Sequence, residues 1–436
     1  MTESATTTTT DAQAVVQAVP IGVLGMLGFL VVADARVIDP LLPVIATSFN
    51  TSIAAAGLTI SAYTLPYGVF QLVYGPLGDR AGKLRIMSIA ILAFAVGTAV
   101  CAAAASLETL IALRFLTGVA AAALIPLSLA YIGDTVPYGE RQAALGRYLS
   151  AIALGQILGA SLGATVADVL SWRLIFLAYG LAALGVGLKF GRIARRQPLP
   201  PVTETAEPGP RTVKRYARPY IAVLRESAAR VVLVTVCLEG LCFFGGFVYV
   251  GASLRDRYGL PFAAIGLILA GFGVGGIIYA RIIGRLLPRL GERRLVLLGG
   301  SLIISAYLAI AFTPAWQPIP ALVVITGIGF YMLHSTLQTK ATELAPDARG
   351  TAVALFAFFL FLGQSLGALF FGQIVTRAGY TPALALSATL VALIALFFAS
   401  RVNTLPGGAA LAEQSTHNRG CTIPNQGFRK EGRTFR

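Results

Sequence analysis

Charge is scarce in this chain. Of its 436 residues, 12% are Asp, Glu, Lys or Arg, where a soluble domain carries roughly a quarter. There are only two histidines, His334 and His417, and no Gly-x-x-x-x-Gly-Lys-Ser/Thr segment. The first shortage leaves no metal-ligand cluster or nucleophile–base pair, and the second speaks against an ATP-driven pump. Four cysteines, Cys101, Cys237, Cys242 and Cys421, form neither a metal-ligand spacing nor a disulfide framework. Nothing in the chain has the form of a nucleic-acid-binding module, despite a net charge of +15. The segment before the first apolar stretch, with its Thr6–Thr10 run, has no basic residue, so it is a poor secretory signal.

Apolar sequence is abundant: 56% of residues are hydrophobic and mean hydropathy is +0.77. A membrane-spanning helix needs about 20 predominantly apolar residues. Twelve such runs are present, near 20–45, 54–77, 86–105, 109–133, 148–168, 174–191, 230–252, 262–284, 295–313, 319–341, 350–375 and 380–400. Their near-continuous hydrophobicity predicts helices, since a barrel strand alternates over segments of about ten residues. The fold expected is all-α, with two six-span bundles over 20–193 and 230–400. Residues 194–229 read as a cytoplasmic linker, from Pro-Leu-Pro-Pro at 198–201 and Glu-Pro-Gly-Pro at 207–210. Residues 1–19 and 401–436 read as disordered cytoplasmic ends.

The basic residues set the orientation. With both termini inside, the inner loops hold 22 of them against four outside, Arg173, Arg255, Arg257 and Arg377. The positive charge is therefore a topology signal, with lipid headgroups as its partner.

The halves repeat. Gly75-Pro-Leu-Gly-Asp-Arg-Ala-Gly-Lys-Leu-Arg85 returns 209 residues later as Gly284-Arg-Leu-Leu-Pro-Arg-Leu-Gly-Glu-Arg-Arg294. Pro137 matches Pro346 at the same offset, and Gly155-Gln-Ile-Leu-Gly-Ala160 returns as Gly363-Gln-Ser-Leu-Gly-Ala368. Duplication into six plus six spans is the build of a transporter whose halves rock about a central site. The second copy has Pro288 where the first has Asp79, so an acidic role there belongs to the first half.

Five charged groups lie at membrane depth: Asp34, Arg36, Asp39, Arg114 and Glu239. Each costs about 2.5–3.5 kcal/mol on insertion scales, which marks such residues as candidates for function. At about 1.5 Å per residue, Asp39 lies roughly 9 Å and Arg114 roughly 8 Å from the outer ends of their helices. The two meet if spans 1 and 4 are neighbours; Arg36 and Asp39, three apart, can also pair locally. Asp34 then sits near the midplane, and Glu239 has no evident partner. A buried network that fixes helix packing is the structural alternative.

Further polar residues are candidates for a substrate cavity. Tyr63, Tyr67, Gln71 and Tyr74 recur at helical spacing on span 2, where Tyr67, Gln71 and Tyr74 can share a face, although tyrosine stripes also serve packing. His334 lies on span 10, roughly 22 Å from the outer end by the same rise, with Gln338 one turn on. It is either a hydrogen-bonded core residue or a coupling site. Gly155, Gly159 and Gly163 on span 5 allow close helix approach.

Gly75, Gly78, Asp79, Arg80, Gly82, Lys83 and Arg85 resemble the loop between helices 2 and 3 of the major facilitator superfamily, G-x-L-x-D-R-x-G-[RK]-x-[RK]. Arg114-Phe-Leu-Thr-Gly118 looks like its helix 4 motif R-x-x-x-G, whose arginine is implicated in proton coupling. Asp39-Pro-Leu-Leu-Pro43 resembles a segment of its drug-exporter branches. The span 5 glycines resemble the antiporter motif G-x-x-x-G-P-x-x-G-G, with Ala160 and Ala164 replacing the proline and last glycine.

The resemblance covers about residues 20–400 and favours the twelve-span drug/proton antiporter and arabinose-efflux-like branches. It implies alternating access, proton-coupled export of a small amphiphilic molecule, a monomer, and no cofactor or metal beyond the proton gradient. The motif around Asp79 would be the cytoplasmic gate. Import of a sugar or metabolite by symport or uniport is the alternative on the same fold; a polytopic membrane enzyme or transport-inactive sensor is the alternative of another class. The excess of Arg over Lys, with abundant Ala and Gly, points to a bacterial plasma membrane.

Overall fold

The computed structural model describes residues 19–197, 213–345 and 348–406. The two expected disordered ends, apart from residues 19 and 401–406, lie outside this range, as do Pro346, His417, Cys421 and the two Pro/Gly clusters of the linker. All regular structure among the described residues is helical. Six helices form the first half: span 1 Ile21–Ser48, span 2 Ile53–Ala81, span 3 Lys83–Cys101, span 4 Leu107–Thr135, span 5 Gly139–Asp168 and span 6 Trp172–Ala194. The second half holds span 7 Ser227–Tyr258, span 10 Ile319–Glu343, span 11 Arg349–Ala378 and span 12 Tyr380–Thr404. Spans 8 and 9 share one helical trace, Phe262–Phe312, which turns at Gly291 with φ +71°. Gly82 makes the turn between spans 2 and 3 with φ +87°. Both angles favour glycine because no Cβ is present to clash, so the repeat seen in sequence extends to backbone conformation. The two turns lie on the arginine-rich side, the basic face; the opposite side is the far face.

The linker contains a helix the sequence did not suggest, Val213–Arg225. Its Tyr220 hydroxyl donates to the carbonyl of Leu72 on span 2 at 2.9 Å.

Within each half, spans 1, 2 and 3 pack on 5, 4 and 6, and spans 7, 8 and 9 pack on 11, 10 and 12. Glycine sets the tightest of these contacts. A Cβ on Gly155 would stand 2.5 Å from the Phe29 carbonyl oxygen, and one on Gly159 would stand 2.6 Å from Ala33 backbone. In the second half, Gly363 meets the Cys237 carbonyl and Gly367 the Leu241 carbonyl in the same way. All four residues of this second set lie 208 positions after their counterparts. Gly163 completes the first lane against Val37.

The halves meet through spans 2 and 11 and through spans 5 and 8. On the far side the approach is close: Gly266 faces Ala160 and Ala164, Gly372 faces Ala54, and the Ser61 hydroxyl donates to Ser365 O at 2.8 Å. At the basic ends of the same spans, Gly75, Gly146, Gly284 and Gly350 have nothing within 4 Å of where a Cβ would stand.

Candidate functional site

Span 1 runs as an α-helix to Arg36, breaks at Val37–Ile38, and resumes through a 3-10 turn at Asp39–Leu41. Pro40 and Pro43 withhold backbone N–H groups here. The break re-aims the charges. Arg114, 1% exposed, donates from Nη1 to Asp34 Oδ2 at 2.6 Å and from Nη2 to the Asp34 carbonyl at 3.3 Å. Asp39 turns to Arg36 instead, at 3.5 Å. The expected Asp39–Arg114 meeting is therefore corrected: counting rise along a straight helix ignored the break, and the arginine reaches one turn deeper to Asp34.

The guanidinium of Arg114 also lies 4.2 Å from the Tyr63 ring centre, where the negative face of the ring attracts a cation. Arg36 donates from Nε to Gln156 Oε1 at 3.2 Å and lies 4.7 Å from the Phe244 ring centre across the boundary between halves. Asp34 Oδ1, Asp39 Oδ1 and Arg114 Nε have no hydrogen-bond partner among the described residues. Buried polar atoms left without partners are costly in a low-dielectric interior, which sets this cluster apart from ordinary packing.

The third buried carboxylate is Glu239. It was expected to stand alone, yet its Oε2 lies 2.8 Å from Nδ1 of His334. Sequence distance concealed the pair, 95 residues apart on spans 7 and 10. A π-helical turn, Gly240–Phe244, follows Glu239; such turns recur at functional sites. Two of its carbonyls accept from outside the turn, Cys242 O from the Ser387 hydroxyl and Phe243 O from the Tyr307 hydroxyl. Around them stands an aromatic wall of Phe243, Phe244, Phe247, Phe272 and Phe330, and His334 stacks on Phe330 with centres 4.9 Å apart.

Tyr67, Gln71 and Tyr74 lie on one continuous helix at i, i+4 and i+7. Tyr63 is buried under Arg114 and stacks on Tyr67, which packs edge-on against Phe361 of span 11. Gln71 is buried, Tyr74 is half-buried beside Phe70, and Gln338, one turn on from His334, is exposed. Gly155, Gly159 and Gly163 are occupied by packing on span 1. A cavity of about 590 Å³ opens at the basic ends of spans 1 and 5, lined by Pro20, Met26, Phe29, Arg147, Ala151 and Leu154 among others. No sequence motif marked it.

In the loop motif, Asp79 bonds Lys83 at 3.0 Å, and Lys83 also bonds Asp134 at the end of span 4 at 2.7 Å. Gly78 packs on Leu127, Gly75 is unpacked, and Arg80 and Arg85 are exposed. In the second half, Glu292 occupies the position matching Lys83 and pairs with buried Lys340 of span 10 at 2.8 Å. The polarity is reversed. Sequence reading counted Lys340 only as an inside charge; the substitution of Glu for Lys within the repeat was the available signal.

Comparison with known proteins agrees with this architecture. The chain is 25% identical over 349 residues to the uncharacterised MFS-type transporter YwfA of Bacillus subtilis (strain 168), covering 80% of this chain and 83% of that one. It is 26% identical over 347 residues to a chloramphenicol resistance protein of Pseudomonas aeruginosa, covering 76% and 77%. Its fold is similar to the inward-facing, unoccupied structure of a bacterial homologue of the human lysosomal transporter Spinster, with TM-score 0.73, 18% identity, and coverage of 88% and 96%. The family model described as Major Facilitator Superfamily matches residues 24–368 and 258–417. On duplicated six-span halves and a match of that extent, this multi-pass membrane protein belongs to the major facilitator superfamily.

Proposed function

We propose that this transporter exports a small amphiphilic molecule in exchange for protons, by alternating access, with its basic face and both termini in the cytoplasm of a bacterial cell. The buried Asp34–Arg114 pair carries the reading. Protonation of Asp34 cancels the charge that holds Arg114 and frees a guanidinium wedged between spans 1 and 4. Proton occupancy is thereby tied to helix packing, the requirement for exchange. Asp39, held by Arg36, and Glu239, held by His334, stand as further stations for the proton.

Four observations support the rest. The excess of basic residues marks the cytoplasmic side by the positive-inside rule. Open space beside Gly75, Gly146, Gly284 and Gly350 at the basic ends of spans 2, 5, 8 and 11, with close contact across the halves at Gly266 and Gly372 on the far side, fits an inward-facing state. The mostly apolar cavity beside Arg147 suits an amphiphile, and a chloramphenicol resistance protein is among the relatives.

One observation favours a second reading, import by symport or uniport. The span 5 glycines depart from the antiporter pattern at Ala160 and Ala164 and are accounted for by packing on span 1.

The test uses purified protein in liposomes that enclose a pH-sensitive dye, with a proton gradient and a panel of cationic drugs, neutral drugs, sugars and metabolites. Substrate-dependent collapse of the gradient, lost in Asp34→Asn, is the expected result, and the direction of labelled substrate flux separates antiport from symport. Flux of labelled substrate without proton movement would sink the coupling.

A further inference from the structure

We propose that Asp168 is the latch that holds the far face shut, and that its release from span 8 is a required step in passage to the opposite-facing state. The proposal rests on alternating access as read above, and adds the residue that closes the end opposite the Asp79 motif.

The geometry is specific. Asp168 ends span 5 of the first half, and span 8 of the second half begins at Phe262. The Asp168 carboxylate accepts from both opening amides of span 8: Oδ1 from Phe262 N–H at 2.9 Å, and Oδ2 from Ala263 N–H at 2.7 Å. The first amides of a helix have no partner within it. A side-chain acceptor that satisfies them normally comes from the residue just before the helix. Here Pro261 stands at that place and has no side-chain oxygen to offer. The cap comes instead from the other half of the protein, 94 residues away.

The receptor is built to stay in place. Arg255 donates to Leu260 O at 2.9 Å and lies 4.8 Å from the Phe262 ring centre, which fixes the turn ahead of span 8. A carboxylate facing a helix N-terminus gains from the peptide dipoles as well as from two charge-assisted hydrogen bonds. Just below, Gly266 lets span 8 approach Ala160 and Ala164, so the latch closes over a packed seam. Opening the far face separates the ends of spans 5 and 8, and both amides must then pass from carboxylate to water. The same bonds cannot be made in the two states, so the carboxylate biases the equilibrium between them.

Hydrogen–deuterium exchange on the full chain in lipid nanodiscs, without substrate, tests this in wild type, Asp168→Asn and Asp168→Ala. Asn keeps one acceptor and no charge; Ala keeps neither. A lost cap of this kind predicts a shift of about tenfold toward the far-face-open state. Peptides covering the start of span 8 and the end of span 5 then exchange faster. Peptides at the basic ends of spans 2, 5, 8 and 11 exchange more slowly, as that face closes, with Ala stronger than Asn. Faster exchange at the far face alone would reduce Asp168 to a local helix cap and overturn the proposal. Unchanged exchange at both faces, or faster exchange at both with a lower thermal midpoint, would overturn it too. No proton or substrate flux enters the measurement, so a latch that behaves as expected in a protein without proton coupling would leave this inference standing and remove only the coupling.

Discussion

Along span 1, Asp34, Arg36 and Asp39 are charged; 208 positions later, on span 7, stand Cys242, Phe244 and Phe247. The glycine lanes fix this correspondence, because Gly155 and Gly159 seat Phe29 and Ala33 as Gly363 and Gly367 seat Cys237 and Leu241. One frame thus carries an ionic interior in the first half and an aromatic one in the second. The counterparts even touch, since Arg36 lies over the Phe244 ring at the boundary. What the two copies share is backbone approach and turn geometry, the properties that make a six-span bundle. What differs is the chemistry placed on it: buried ion pairs about Arg114 and Arg36 in the first half, and in the second an aromatic wall beside the Glu239–His334 pair.

The largest effect that would break the comparison is on transport. Asp34→Asn and Arg114→Ala are expected to bring proton flux in liposomes to background, whereas Glu239→Gln retains measurable flux; equal loss would make the halves functionally alike. Next comes the pair of reversed polarity. Lys340 is 1% exposed, so Lys340→Met leaves Glu292 unpaired and should cost about 3–5 kcal/mol in thermal unfolding. Restoration by Glu292→Met in the double variant would locate that cost in the orphaned carboxylate.

Smaller effects sharpen the shared frame. Gly363→Ala forces a Cβ against the Cys237 carbonyl and should destabilise by about 1–3 kcal/mol. Gly75→Ala, with open space around it, should stay within about 0.5 kcal/mol. The smallest paired effect is Lys83→Met, expected below about 1 kcal/mol because Asp79 and Asp134 are both exposed. A loss as large as that of Lys340→Met would erase the distinction between the two turns.

Much of the frame was legible because it rests on local signals. Apolar runs located the spans, basic residues distinguished the two faces, and repeated glycines exposed the duplication, including Gly82 and Gly291. Partner choice was not legible. Asp34, Asp39 and Arg114 were all visible, but which carboxylate met the arginine depended on a helix break at Val37–Ile38. Glu239 and His334 join spans distant in sequence, and no periodicity encodes such a contact. The helix at Val213–Arg225 was hidden for a different reason: proline and glycine clusters just before it dominated the composition of the interval. Asp168 was missed because an acid at the end of a span reads as an ordinary solvated terminus.

The reversed pairs have a consequence for assembly during synthesis. A duplicated chain risks docking the turn of one copy on the fourth span of the other, since both copies offer similar surfaces. Here such a misjoining would set Lys83 against Lys340 and Glu292 against Asp134, cation on cation and anion on anion. Like charges so placed repel, and the wrong partner is refused at the moment of contact. Opposite polarity in the two copies therefore works as an address, written in four side chains, that tells each turn which half it belongs to.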